Sequence, residues 1–275
     1  MSSVLRLISF LGVILCFSWP SYAQSNAITE RNQKTITLAY AEKWPPFSYR
    51  APSGEAKGIL IEIANFLLRD EMGYKVNHIL LPWKRAQAMV KNGRYDALLA
   101  VPNSERNKYS LPNQSEVYSM QVRAFIPKSS PNYSKLISKE NPLTLSGGHF
   151  SLLFGDKTCT DIYEKNDVNF YSNSNIQQIF KMMASGRSDL FLHSKVAALQ
   201  SIMELNLEGE IMVHPKIFRN VSLFLLMSQH YSEKDELIKQ LDETLQKLKN
   251  KREYYARINQ IERDEIQFSL KYTGL

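Results

Sequence analysis

Cysteine is almost missing from this chain: Cys16 and Cys159 are the only 2 in 275 residues. Two thiols cannot build a disulfide framework, so stability has to come from packing. Long apolar runs are also scarce. After the first residues nothing reaches the roughly 20 consecutive apolar residues of a membrane helix. The 5 histidines, at 78, 149, 193, 214 and 230, are scattered and form no His-Glu-x-x-His. There is no Gly-x-Ser-x-Gly and no phosphate-binding Walker loop. These gaps argue against metalloprotease, serine-hydrolase and nucleotide-hydrolase chemistry, and predict neither metal nor cofactor. The formal charge of +7 is not gathered into an aromatic-interleaved basic patch, so nucleic acid is not an expected partner. Internal repeats and low-complexity tracts are not evident.

The first residues, by contrast, have a clear pattern. Arg6 precedes an apolar stretch from Leu7 to Trp19, and Ser21-Tyr22-Ala23 has the small-x-small form of a leader cleavage site. Residues 1–23 are expected to be a signal peptide, giving an exported, periplasmic chain that begins near Gln24. Leu15 is too bulky for a lipobox before Cys16. Arg6 is the one charged residue removed, so the net charge falls by one, to about +6. About 250 residues remain, enough for a substantial core in one large domain or two lobes.

The most informative stretch is Pro82 to Pro112. Ala86, Met89 and Val90 recur at helical spacing, and Gly93 sits where a helix C-cap belongs. Tyr95 to Val101 is nearly all apolar, as expected of a strand covered on both faces. Asn103 or Ser104 can then cap a short helix with Arg106 in its first turn. Backbone N–H groups and a guanidinium meeting at the carboxyl end of a buried strand suit an anion, where open α/β sheets bind ligands.

Gly93, Asp96, Asn103-Ser104-Glu105-Arg106 and Tyr109-Ser110-Leu111-Pro112 together resemble family 3 of the bacterial periplasmic solute-binding proteins. Its best-known members bind polar amino acids for ABC importers. The family pattern is a helix ending in Gly, Asp with an apolar strand, Thr-x-Glu-Arg, then Phe-Ser-x-Pro. The resemblance implies an α/β, two-lobed periplasmic-binding-protein-like fold of type II, with lobes joined by two crossover strands. Residues 24–122 and 227–275 would form lobe 1, and residues 123–226 lobe 2.

The rest of the chain reads accordingly. Thr35 to Tyr40 is a strand that runs into the rigid turn Trp44-Pro45-Pro46-Phe47, and Gly58 opens an apolar helix stopped near Gly73. Val76 to Leu81 is the next strand. Alternating strands and helices imply parallel βαβ units. Val122 to Pro127 reads as the first crossover and Val221 to Met227 as the return. Between them are expected strands at Leu143–Gly147, Val168–Tyr171 and Asp189–His193, and helices at Ile176–Ser185 and Lys195–Leu205. Glu233 to Glu262 reads as one long amphipathic helix, with Leu237, Leu241, Leu245, Leu248, Tyr255, Ile258 and Ile261 on its apolar face.

By the resemblance, Arg106 would fork onto a ligand carboxylate, a geometry that lysine cannot reproduce. Trp44 and Phe47 match an aromatic-Pro-Phe element that lines the cleft. Trp83 leads its helix from a strand end and would also reach the cleft. Val101 and Asn103, on a segment a residue or two shorter than in typical amino-acid binders, complete that wall. Gly147-Gly148-His149-Phe150-Ser151 lies where the family has a glycine-rich strand-to-helix turn, making Gly148 and His149 candidates; His149 and His193 could converge on the cleft, although scattered histidines are more often structural or exposed. Each also has a plain structural reading, as surface arginine, core staple or bare turn. Ser194 is a departure: amino-acid binders carry there an aspartate that pairs with the α-ammonium. A buried ammonium without a partner is costly, and His193 and Lys195 would make that wall neutral to positive. Carboxylates without an α-ammonium, or with a second acidic group, are therefore expected to bind better than α-amino acids, unless Glu42 or another acid substitutes. Cys159 is expected to be a buried or semi-exposed thiol without a partner.

The expected function is capture of a small polar, carboxylate-bearing solute by a monomer, with an ABC permease as the partner. Two alternatives stand beside it. One is a cyclohexadienyl-dehydratase-like enzyme, with Glu42 or His193 as the acid over a carboxylate-holding arginine. The other is a stand-alone sensory or envelope protein on the same fold.

Overall fold

A computed structural model describes residues 34–272, so the expected leader and its cleavage point lie outside the described residues. The chain opens with β1 (Thr35–Ala41), a small three-stranded patch of β2 (Lys43–Trp44), β3 (Ser48–Arg50) and β4 (Ala56–Lys57), and α1 (Ile59–Ala64), which a π-helical stretch continues through Asn65–Glu71. Then come β5 (Lys75–Leu81), α2 (Trp83–Lys91), β6 (Ala97–Ala100), α3 (Ser104–Asn107), β7 (Ser110–Pro112) and the long β8 (Tyr118–Pro127). Next are α4 (Tyr133–Ser138), a 3-10 turn at Pro142–Thr144, β9 (Phe150–Leu153), α5 (Lys157–Lys165), β10 (Phe170–Asn173), α6 (Ile176–Ala184), β11 (Leu190–Ser194) and α7 (Lys195–Glu204). The 18-residue β12 (Ile211–Ser228) returns the chain to α8 (Lys234–Asn250) and α9 (Glu253–Tyr272).

One curled sheet runs through the molecule in the order β10-β9-β11-β8-β12-β6-β1-β5, with β7 also paired to β12. β1 pairs in parallel with β5 and β6, and β9 with β10 and β11, as βαβ units require. β8 and β12 pair antiparallel along most of their length and join the two ends. One core surrounds the β5-β1-β6 end, with α1, α8 and α9 covering it; separate clusters built on Phe150, Tyr163, Phe180 and Phe191 fill the β10-β9-β11 end. All four residues of β6 are buried, which is why that strand reads as an unbroken apolar run. This is a two-lobed type II arrangement, with β8 and β12 as the crossover strands.

The lobes echo each other at one point where no repeat was expected. Gly93-Arg94-Tyr95-Asp96 and Gly186-Arg187-Ser188-Asp189 both link a helix to a strand, with the glycines at φ 69° and 71°. Asp96 Oδ2 accepts the Thr37 N–H at 2.7 Å, and Asp189 Oδ2 accepts the His149 N–H at 2.8 Å. In each lobe a carboxylate thus takes up a backbone donor of the neighbouring parallel strand or its entry. Only Gly-Arg-x-Asp is shared, too little to register as a sequence repeat.

Three expectations change. Leu143–Gly147 is not a strand: Asn141 accepts the Leu143 N–H and Pro142 starts a 3-10 turn. The strand of that region is β9, at Phe150–Leu153. The C-terminal helix is two helices, because Arg252 turns to φ 63° between them. That break shifts the apolar stripe, so Tyr254 is buried and Tyr255 is exposed.

Candidate functional site

The first wall is built where β6 ends and α2 begins. Asn103 caps α3 by accepting the Arg106 N–H at 2.9 Å. The Arg106 side chain folds back, so that Nη1 donates to the Val101 carbonyl at 2.6 Å and Nε to Gln87 Oε1 at 3.1 Å. Its guanidinium carbon lies 5.2 Å from the centre of the Trp83 ring, a cation–π stack. Burial pulls the Arg106 pKa down from its ordinary value, but an arginine stays charged at neutral pH. Two of its five N–H donors are used in these bonds, leaving three for an acceptor. Arg106 lines a cavity of about 340 Å³ with Tyr40, Lys43, Trp44, Trp83 and Val101.

Trp44 and Phe47 pack with ring centres 4.7 Å apart and planes tilted by 42°. Phe47 is 1% exposed and also packs on Tyr118. Trp44 is 36% exposed and is the residue common to both the Arg106 cavity and a second one of about 510 Å³.

The floor of that second cavity comes from β9, β11 and α7. β9 leaves the sheet through Phe154 and Gly155 (φ 85°) into Asp156, which caps α5 by accepting the Cys159 N–H at 3.0 Å. The other carboxylate oxygen stands 3.3 Å from His193 Nδ1. Burial pushes the Asp156 carboxyl up, but the His193 and Cys159 contacts outweigh it and hold its pKa below the ordinary value. Ser194, at the start of α7, lines the cavity; its hydroxyl is buried, caps nothing and has no hydrogen-bond partner among the described residues. Two helical turns on, buried Gln200 donates to Glu204 Oε1 at 2.8 Å, and both line the cavity. Asp156 and Glu204 are its acidic residues, and among the described residues no lysine or arginine lines it.

The structure therefore gathers Trp44, Phe47, Trp83, Val101, Arg106 and Ser194 around two adjoining cavities, with Asn103 beside Arg106 as its helix cap. Gly148 and His149 are elsewhere. Their turn enters β9 rather than leaving it, so it stands at the opposite end of the strand from the cavity. His149 is bound through its N–H to Asp189, stacks on Tyr171 at 6.4 Å and has a side chain 63% exposed. Of the two histidines expected to converge, His193 alone lines the cavity. Lys195 and Glu42 line neither cavity, and the Ser194 wall is acidic rather than neutral to positive. Asp156, Glu204 and Phe154 were not foreseen. Gly155-Asp156 just after the apolar Leu152-Leu153-Phe154, followed by Cys159, Ile162 and Tyr163 at helical spacing, was the signal available for the first of them. Of the two readings of Cys159, the buried one holds, and burial pushes its thiol pKa up. Among the described residues no three potential ligands converge as a metal centre requires, and no helix is long and apolar enough to cross a membrane.

The family description "Bacterial extracellular solute-binding proteins, family 3" matches residues 36–261. No curated protein matches the chain significantly. Among solved structures, the ancestral cationic amino acid solute-binding protein AncCDT-1 is similar at a TM-score of 0.62 and 16% identity, covering 84% of this chain and 95% of its own. A further structure of AncCDT-1 describes it as a precursor of cyclohexadienyl dehydratase. YtmK of Bacillus subtilis, a probable amino-acid ABC transporter extracellular-binding protein, has a TM-score of 0.61 at 15% identity, covering 88% and 100%. AbpA of Streptococcus pneumoniae, an amino acid ABC transporter substrate-binding protein bound to L-arginine, has a TM-score of 0.54 at 19% identity, covering 84% and 96%. At these identities the likeness is one of fold.

Proposed function

The chain belongs to family 3 of the bacterial extracellular solute-binding proteins, and from that premise we propose that it captures a small, polar, carboxylate-bearing solute between its lobes and presents it to an ABC permease. Among the described residues the lobes in this reading are 34–122 with 227–272, and 123–226. The observation that carries the reading is Arg106, which lies in the wall of a cavity, positioned by Gln87, Val101 and Trp83, with donors to spare. A planar fork held in this way matches a carboxylate. Capture closes the lobes about β8 and β12. In this reading the chain is exported, loses its leader after Ala23 and acts in the periplasm as a monomer without a cofactor.

A thermal-shift screen of small carboxylates against the purified protein tests this. A ligand at 100 times its Kd adds about 2.7 kcal/mol to stability. Arg106→Ala and Arg106→Lys should both lose binding of the hit by roughly tenfold or more while the unliganded melting temperature hardly moves. Undiminished affinity in both variants overturns the assignment. The Asp156–His193 pair in the cleft keeps a second reading open, that of a dehydratase-type enzyme. Turnover of the hit by the purified protein would establish that reading in place of simple capture.

A further inference from the structure

The cleft is polarised in charge. On one side of Trp44 the ionic residues are Lys43 and Arg106; on the other they are Asp156 and Glu204. The two sets line separate cavities, and Trp44 is the wall they share. The acidic side is also prepared for a donor. Gln200, 6% exposed, anchors one oxygen of Glu204, and the other makes no hydrogen bond among the described residues. The buried Ser194 hydroxyl has no partner of its own among the described residues. A buried polar atom left unpaired costs free energy that a bound group can recover.

Resting on the reading of Arg106 as the carboxylate anchor, we propose that the solute is a zwitterion with separated charges, whose carboxylate lies with Arg106 and whose cationic group lies beyond Trp44 with Glu204, Asp156 and Ser194. An α-amino acid with an uncharged side chain carries both charges on one carbon, so it cannot put one on each side of the indole. An ω-amino or ω-guanidino carboxylate can. A second acidic group on the solute would instead meet Glu204 and Asp156 and be repelled. His193 shares Asp156, which leaves Glu204 as the principal counter-charge.

The test is calorimetric titration of the mature protein at neutral pH with three probes: hexanoate, L-norleucine and its constitutional isomer 6-aminohexanoate. A length series from 4-aminobutanoate to 8-aminooctanoate follows. The expected result is that at least one ω-amino acid binds roughly tenfold or more tightly than both its parent acid and its α-amino isomer. Glu204→Gln should remove that advantage by weakening the ω-amino acid roughly tenfold or more. Asp156→Asn, which keeps a side-chain acceptor for the helix cap, should reduce the advantage. If no ω-amino acid exceeds its parent acid, or if the α-isomers bind as tightly, the proposal is overturned. Arg106→Ala separates the two readings. Loss of all carboxylates in that variant with no ω-preference in the wild type sinks this inference alone. An ω-preference that depends on Glu204 but not on Arg106 sinks the carboxylate anchor instead.

Discussion

The carboxylate of Asp156 serves two elements at once: one oxygen accepts the Cys159 N–H of α5 at 3.0 Å, while the other faces Nδ1 of His193, at the end of β11, across 3.3 Å. The cap that starts a helix is therefore also a wall of the cleft. As the N-cap of α5, the Asp156 carboxylate sets a negative charge against the free N–H groups of that helix start.

From this follows a stability prediction. Asp156→Ala removes the cap and should cost about 0.5–2 kcal/mol, whereas Asp156→Asn, which keeps an acceptor for the Cys159 N–H, should cost clearly less. Urea denaturation of both variants measures this. Equal losses would mean that the cap contributes nothing beyond the charge.

How legible this arrangement was in the sequence depended on local chemistry. The β5-α2-β6-α3 segment came out in order because each signal agreed with the fold: Gly93 at the helix end, an apolar run for a doubly covered strand, and Asn103 as a cap. The turn of the second lobe was placed one strand-length too early. Gly147 and Gly148 drew the eye as a strand exit, but here they form a strand entrance, and the exit uses Gly155. Glu204 gave no local signal. It reaches the cleft only because α7 runs from Ser194 along the cavity floor, a tertiary fact that spacing within one helix does not encode. The break at Arg252 was equally hidden, since a left-handed arginine replaces the glycine that usually marks a helix end.

Trp44 and Phe47 touch, yet they should answer differently to truncation. Phe47→Ala removes a ring that is 1% exposed, packed in the lobe 1 core behind the cavity wall, and should cost about 3–5 kcal/mol. Trp44→Ala, with the ring partly in solvent, should cost about 1.5 kcal/mol or less and instead weaken ligand binding. Denaturant midpoints together with titration of a bound solute separate the two. A Trp44 variant as unstable as the Phe47 variant would contradict this division of roles.

Gly58 holds the start of α1 against the aromatic turn. It has φ 126° and ψ 164°, a region open essentially to glycine, and a Cβ there would fall 2.4 Å from the Phe47 carbonyl oxygen. That same oxygen accepts the Leu60 N–H at 2.9 Å, so the backbone cannot yield without losing the bond. Gly58→Ala should cost at least about 2 kcal/mol and disturb the setting of Trp44. The melting temperature and ligand affinity of the variant check both effects, and a neutral substitution would refute the argument.

The last prediction concerns pH. Glu265, on α9, is 6% exposed and accepts the Tyr49 hydroxyl at 3.1 Å. Burial pushes its pKa up to about 7; the Tyr49 bond and Lys57 pull it down, and Glu62 and Asp264 push it up. Since the folded-state pKa lies above that of the unfolded chain, the native state holds a proton that the unfolded state has already released. The associated stability is fully present below the ordinary glutamate pKa and is lost as pH rises through about 7. Glu265→Gln keeps an acceptor for Tyr49 and is neutral at every pH. Relative to wild type, the variant should therefore gain stability between pH 5 and pH 8. In a chain of this size each kcal/mol moves Tm by about 2–4 °C. Thermal melts of the two proteins at both pH values decide the matter: a difference in Tm that stays constant with pH would mean that α9 does not dock over a protonated carboxyl.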